Sequence, residues 1–266
     1  MESLFNYGIA FLLGACLGSF ANVVALRTLA RRDWLYQPSV CFACQRRLTI
    51  IENVPFFGYL RRAGYCRCGA HRLPTRYILV ELALAALMVL AYSRFGGLNA
   101  LILMPFLVLL VIIFLTDLDD FIIPDWASLG GVGLALLFAF IGAFMGAFID
   151  VSIVPNIKTA LFGGLAGFAL IYGINLIYRM VRGHDGIGLG DVKLMAMLGA
   201  WLGPASLLPI LFLASVAGAF WGIVSIVLQR YKTNKDGFAI QPFGCFLVVA
   251  ALLWLFFAPD AVMMTQ

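Results

Sequence analysis

The sequence predicts an all-α polytopic membrane protein with about eight transmembrane helices. Hydrophobic residues make up 63% of the 266 residues, charged residues make up only 12%, and the mean hydropathy is +1.01. A soluble domain of this size is closer to half apolar and a quarter charged. A membrane-crossing helix needs about 20 apolar residues, and runs of roughly that length recur along the chain. The composition therefore excludes an ordinary soluble protein.

The apolar residues fall into eight segments, which we expect to be helices: residues 4–26, 77–93, 98–116, 126–149, 157–179, 192–203, 206–228 and 238–257. The first is predicted to be a retained span, because its basic residues follow the apolar run, which is the reverse of a signal peptide. The sixth is shorter than a normal crossing. We expect it to be tilted, partly buried against other helices, or extended at its Pro204 end.

Arginine and lysine determine the expected orientation. Ten arginines lie in residues 27–76, where only two acidic residues oppose them. Cytoplasmic loops carry the excess of basic residues, so this segment is predicted to be a cytoplasmic insert. Alternation then places residues 117–125, 180–191 and 229–237 on the same side and both chain ends outside. Beside a membrane, the basic insert is expected to contact anionic lipid rather than nucleic acid.

Four cysteines in the insert form two close pairs. Cys41 and Cys44 have the Cys-x-x-Cys spacing that is typical of half of a tetrahedral zinc site, whereas Cys66 and Cys68 are separated by a single residue. His71 is an alternative ligand. Redox chemistry is the rival interpretation, but no thioredoxin-like pattern surrounds the first pair. A structural zinc would stabilise an insert too small for an adequate core, so a zinc-stapled insert is predicted.

Two aspartates, Asp117 and Asp191, lie at the predicted cytoplasmic ends of apolar segments. Ionisable residues at membrane depth are costly and mark function by default. Two carboxyls that share one site titrate together, so one stays protonated while the other ionises, and such a pair activates water for peptide hydrolysis. The residues alone leave two other interpretations open: a proton or ion pathway in a transporter, and ordinary interfacial acids that include Asp119, Asp120 and Asp125.

Several blocks of sequence carry a resemblance to a known family. In chain order they are residues 17–24 (LGSFANVV), the paired cysteines, residues 76–81 (RYILVE), Asp117-Leu118 followed by Ile123-Pro124-Asp125, residues 188–194 (GLGDVKL) and residues 241–244 (QPFG). With these blocks the chain resembles the bacterial type IV prepilin peptidases, intramembrane aspartyl proteases with a Gly-x-Gly-Asp motif. The resemblance extends nearly from one end of the chain to the other.

The resemblance implies that Asp117 and Asp191 are the catalytic residues. It implies cleavage of a short basic leader, after a glycine, from pilin or pseudopilin precursors at the cytoplasmic side. It also implies methylation of the new N-terminal amine, with S-adenosylmethionine as the methyl donor. The cysteine segment resembles the zinc-bound domain that is peculiar to the bacterial enzymes.

The chain departs from the family pattern at two places. Cys66-x-Cys68 stands where the family usually has a second Cys-x-x-Cys pair. His184-Asp185-Gly186 stands where the family often has Arg-Glu-Gly, so an acid is retained with a shorter side chain and one neighbouring charge is lost.

We therefore expect three parts: a first transmembrane helix in residues 1–26, a cytoplasmic zinc-binding segment in 27–76 and a transmembrane aspartyl peptidase bundle in 77–266. The protein is predicted to lie in the bacterial cytoplasmic (inner) membrane with its active site facing the cytoplasm. Its expected partners are prepilin or pseudopilin precursors and membrane lipid. The rival functions are a transporter that uses the same acids and a binding-only zinc protein. The sequence indicates neither an oligomeric state nor the site of the methyl donor.

Overall fold

A computed structural model describes residues 2–32, 47, 49, 54–60, 64–65, 74–145, 153–232 and 241–258. In these residues the chain forms eight α-helices: α1 (Glu2–Leu29), α2 (Phe57–Leu60), α3 (Arg76–Asp120), α4 (Asp125–Met145), α5 (Ile157–Arg182), α6 (Leu189–Leu202), α7 (Leu207–Lys232) and α8 (Phe243–Phe257). A short 3₁₀ turn, Pro204–Ser206, precedes α7. The predicted all-α class is confirmed for the described residues.

Five of the described helices, α1, α3, α4, α5 and α7, are long and apolar enough to cross a membrane. Helix α3 has 45 residues and a non-helical backbone at Gly96, with φ 79° and ψ 174°. At a rise of 1.5 Å per residue it would extend about 68 Å, roughly twice the thickness of a bilayer core. The predicted segments 77–93 and 98–116 both lie in α3, on either side of Gly96. The chain is therefore a multi-pass membrane protein.

The chain divides into two compact units, Met1–Ile112 (unit 1) and Ile113–Gln266 (unit 2). The predicted division into three functional parts stays a prediction. In unit 1, α1 lies directly against the first half of α3, because a side-chain carbon placed on Gly18 would lie 2.7 Å from the Cα of Glu81. One turn further along α1, the Asn22 amide donates to the carbonyl of Tyr77 at 3.2 Å. The two blocks LGSFANVV and RYILVE therefore pack on each other.

In unit 2, ten of the fourteen residues of α6 are buried. Gly199 of α6 and Gly163 of α5 leave no room for a side chain, since a carbon on either glycine would overlap the carbonyl of the other. The indole N–H of Trp201 donates to the carbonyl of Gly131 in α4 at 2.8 Å. Burial against other helices, one of the three explanations for the short sixth segment, is observed. Extension at the Pro204 end is not, because α6 ends at Leu202 and a separate turn follows.

Candidate active site

Asp117 lies in the last turn of α3 and is buried, with a relative exposure of 4%. The helix ends three residues later, and the N–H of Phe121 donates to the Asp117 carbonyl at 3.1 Å. Phe121 has a positive φ of 56°, which turns the chain away from the helix axis. This abrupt end leaves the Asp117 side chain facing the start of another helix rather than a further turn of its own.

The Asp117 carboxyl caps helix α8. Pro242, the N-cap residue of α8, makes no side-chain cap. Instead the N–H of Cys245 donates to Asp117 Oδ2 at 2.8 Å, which is the contact that an N-cap side chain normally makes. A side-chain carbon on Gly244 would lie 2.9 Å from the same oxygen, so glycine leaves space for the carboxyl. Because a backbone N–H can only donate, Oδ2 is the acceptor in this contact.

Asp191 lies in the first turn of α6, where an acidic side chain interacts favourably with the helix N-terminus. Its N–H donates to the carbonyl of the N-cap residue Gly188 at 3.1 Å. A carbon placed on Gly190 would lie 3.0 Å from the Cβ of Ile123, in the linker that follows α3. The Gly-x-Gly-Asp block therefore lets the start of α6 pack closely on the linker between α3 and α4.

The ends of α3, α6 and α8 meet around the side chain of Ile123. Its Cδ1 would lie 2.9 Å from a carbon on Gly244, while its Cβ faces Gly190. Burial raises the pKa of the Asp191 carboxyl to about 7, and the negative charge of Asp117 adds to this rise. The structure thus brings the two acids into one site of unit 2, close enough for the charge of Asp117 to affect the ionisation of Asp191.

The loop before Asp191 is held by Asn175, a residue that the sequence analysis did not single out. Asn175 lies in α5 and is 5% exposed. Its Oδ1 accepts hydrogen bonds from the N–H groups of Gly186 at 2.9 Å and Ile187 at 3.0 Å, and its Nδ2 donates to Asp185 Oδ1 at 3.2 Å. The signal available in the sequence was the amide side chain of Asn175 within an otherwise apolar segment. These three bonds fix the path of the chain into α6.

The other predicted acids lie at the rim of the site. Asp119 and Asp120 are exposed in the last turn of α3. Asp125, in the first turn of α4, forms an ion pair with Lys193 of α6, with 2.6 Å between Oδ1 and Nζ. Exposed ion pairs contribute about 0–1 kcal/mol, so this contact orients α6 more than it stabilises the fold. His184 is exposed, and its ring lies 5.5 Å from that of Tyr178.

The predicted zinc ligands Cys41, Cys44, Cys66 and Cys68 lie outside the described residues, as does His71. Among the residues that the structure does describe, no group of three or more His, Cys, Asp or Glu side chains could hold a metal ion. Zinc binding by the four cysteines stays a prediction.

Comparisons with known proteins cover almost the whole chain. The model of the Type IV leader peptidase family matches residues 103–223, which contain both acids, and the model of the Bacterial Peptidase A24 N-terminal domain matches residues 12–95. No solved structure matches the chain.

Relatives named prepilin leader peptidase/N-methyltransferase match the chain, among them the three that follow. The protein from Pseudomonas putida is 32% identical, over 96% of this chain and 92% of the relative. The protein from Aeromonas hydrophila is 33% identical, over 93% and 90% of the two chains. The protein from Burkholderia pseudomallei (strain K96243) is 31% identical, over 93% and 84%. With both family models matched and relatives of this identity along nearly its full length, the chain belongs to the type IV leader peptidase family.

Proposed function

We propose that this chain cleaves the basic leader from type IV prepilin or pseudopilin precursors and then N-methylates the new N-terminal residue. Its family and the names of its relatives support both activities. The observation that carries the peptidase assignment is the meeting of Asp117 and Asp191 at one site, where the charge of the first raises the pKa of the second. A carboxyl pair of this kind hydrolyses peptides without a metal ion at the reacting centre.

The contacts of the two acids suggest different roles. Asp191, whose pKa is raised to about 7, carries its proton in about half of the molecules at neutral pH and in that form would donate a hydrogen bond to the scissile carbonyl oxygen. Asp117, whose Oδ2 accepts the Cys245 N–H, would be the ionised partner and would take a proton from the attacking water. That proton would then pass to the leaving nitrogen when the tetrahedral intermediate collapses.

The glycines of the α6 N-terminus suit the approach of an extended substrate. Gly188 leaves open space beside the carboxyl, since a carbon on this glycine would lie 3.6 Å from Asp191 Oδ2. Substrate backbone can therefore reach the acid more closely than it could past larger residues.

We place the active site at the cytoplasmic face of the inner membrane, on the strength of the arginines in residues 27–76. The same residues would contact anionic lipid headgroups. One structural zinc ion, bound by Cys41, Cys44, Cys66 and Cys68, would stabilise the fold of this insert.

Incubation of the purified protein with a full-length prepilin, with and without S-adenosylmethionine, tests the proposal. Intact-mass measurement should show loss of the leader in both reactions and addition of one methyl group only with the donor. An unchanged prepilin mass would refute the peptidase assignment. If the same preparation moved protons across proteoliposomes in an Asp117-dependent manner, the transporter would replace it.

A further inference from the structure

A third carboxyl is buried in unit 1, outside the aspartate site. Glu81 lies in the second turn of α3, about 8 Å along the helix axis from Arg76, and is 7% exposed. It faces α1, where Gly18 leaves room for the α3 backbone. The proposed peptide cleavage does not involve Glu81.

Among the described residues, the hydrogen-bond partners of Glu81 are neutral. The N–H of Phe56 donates to Glu81 Oε2 at 2.9 Å, and the Ser19 hydroxyl donates to the same carboxyl. Within the described part of the chain, no lysine or arginine forms an ion pair with it. A carboxylate that is buried without a cation is costly, and an ionisable residue in a membrane-crossing helix marks a functional site by default.

One role of Glu81 is to anchor residues 54–60. Phe56 donates its N–H to Glu81, and its ring stacks on that of Phe11 with 5.7 Å between centroids. Phe56 has a φ of 59°, which is unfavourable for a bulky residue and persists only when surrounding contacts hold it. However, anchoring needs only an oxygen that accepts the N–H. A neutral amide of the same shape would serve equally, so this role does not account for an acid at position 81.

We propose that Glu81 binds the primary ammonium at the N-terminus of the cleaved pilin and presents it for methylation. This inference rests on the proposed function, which generates one such ammonium at each cleavage. Glu81 lies in residues 12–95, matched to the N-terminal domain model, while the aspartates lie in the peptidase model.

The chemistry of methyl transfer explains why a carboxylate is needed. An α-amino group has a pKa of about 7.7–8.0 and is mostly protonated at neutral pH, whereas the nucleophile has to be the free amine. Glu81 would accept one proton from the bound ammonium, which frees the nitrogen lone pair to form the new nitrogen–carbon bond. S-adenosylmethionine supplies the methyl group when bound, and its sulfur keeps the electron pair of the broken sulfur–carbon bond. The products are a secondary ammonium, a neutral thioether and one proton, which Glu81 releases to water.

Two substitutions separate charge from anchoring. Glu81→Gln removes the charge but keeps an oxygen for the Phe56 N–H, whereas Glu81→Ala removes both. Asp120→Asn is the matched control, because it neutralises an exposed acid of the same helix. Each variant is given full-length prepilin, to measure cleavage, and a pre-cleaved pilin, to measure methylation. Binding of two peptides with the mature N-terminal sequence, one with a free amine and one N-acetylated, is measured in parallel without the methyl donor.

We expect wild type and Asp120→Asn to prefer the free-amine peptide by about 10- to 100-fold, the ratio typical of one charge-assisted hydrogen bond. Glu81→Gln should cleave prepilin at the wild-type rate, lose this preference and lose methylation of pre-cleaved pilin by at least tenfold. Glu81→Ala should in addition be less stable to heat.

Three results would overturn the inference. The first is wild-type methylation by Glu81→Gln. The second is equal binding of both peptides by the wild-type protein. This result does not depend on whether any variant folds. The third is loss of S-adenosylhomocysteine binding in Glu81→Gln with the peptide preference intact, which would assign the carboxylate to the donor instead. If the wild-type protein neither cleaves nor methylates, the proposed function itself falls.

Discussion

Asp117 combines two roles that substitution can separate. Its Oδ2 accepts the Cys245 N–H at the start of α8, and its carboxyl is the proposed base for the attacking water. Asp117→Asn keeps an amide oxygen for that N–H but cannot take a proton from water. Asp117→Ala removes both functions. Measurements on the two variants therefore separate the chemical role of Asp117 from its contribution to the fold.

The expected magnitudes differ between the two variants. A buried N–H left without an acceptor costs about 1–3 kcal/mol, so Asp117→Ala should lower the free energy of unfolding by about that amount. Asp117→Asn should lower it by less than about 1 kcal/mol, since the cap of α8 is kept. Loss of a general base typically costs about 10²- to 10⁴-fold in rate, so both variants should lose cleavage to that extent.

The assay is leader release from purified prepilin, followed by intact-mass measurement, together with thermal unfolding of each variant in the same detergent. Asp119→Asn provides the control, because this exposed acid lies two residues after Asp117 on the same helix. Cleavage by Asp117→Asn within tenfold of wild type would refute the proposed base. Equal stability of the asparagine and alanine variants would refute the capping role.

Four further predictions follow from the site and the sequence. Cleavage should fall as the pH rises through about 7, because Asp191, whose pKa burial and Asp117 raise to that value, loses its proton there; a rate that is flat from pH 6 to 9 would contradict this. Asn175→Ala should lower kcat more than it raises KM and should destabilise the protein by about 1–3 kcal/mol, since three bonds to the loop are lost; steady-state kinetics and thermal unfolding check both. Metal analysis should find about one zinc per chain, lost in Cys41→Ser, and a metal-free wild type would remove that site. A reporter fused after Arg62 should behave as cytoplasmic, and an external signal would invert the topology.

The sequence patterns predicted the helical class but not how the helices pack at their glycines. The low charge content and the apolar runs predicted a helical membrane protein, because the absence of water in the bilayer leaves few other ways to satisfy the backbone. The runs did not reveal that α6 would be buried against other helices. That outcome depends on the contact between Gly163 and Gly199, where two helix backbones touch without side chains between them.

The sequence by itself determined the helical class, the family resemblance and the choice of Asp117 and Asp191, since each depends on composition or on short blocks of residues. Only the tertiary structure decided what those blocks contact. Asp117 and Cys245 are 128 residues apart, and their contact explains the glycine at position 244 of the last block, which leaves space for the carboxyl. Helix packing likewise buried Glu81, whose partners among the described residues are the Phe56 N–H and the Ser19 hydroxyl. Such pairings depend on which surfaces of distant helices meet, and local periodicity carries no information about that.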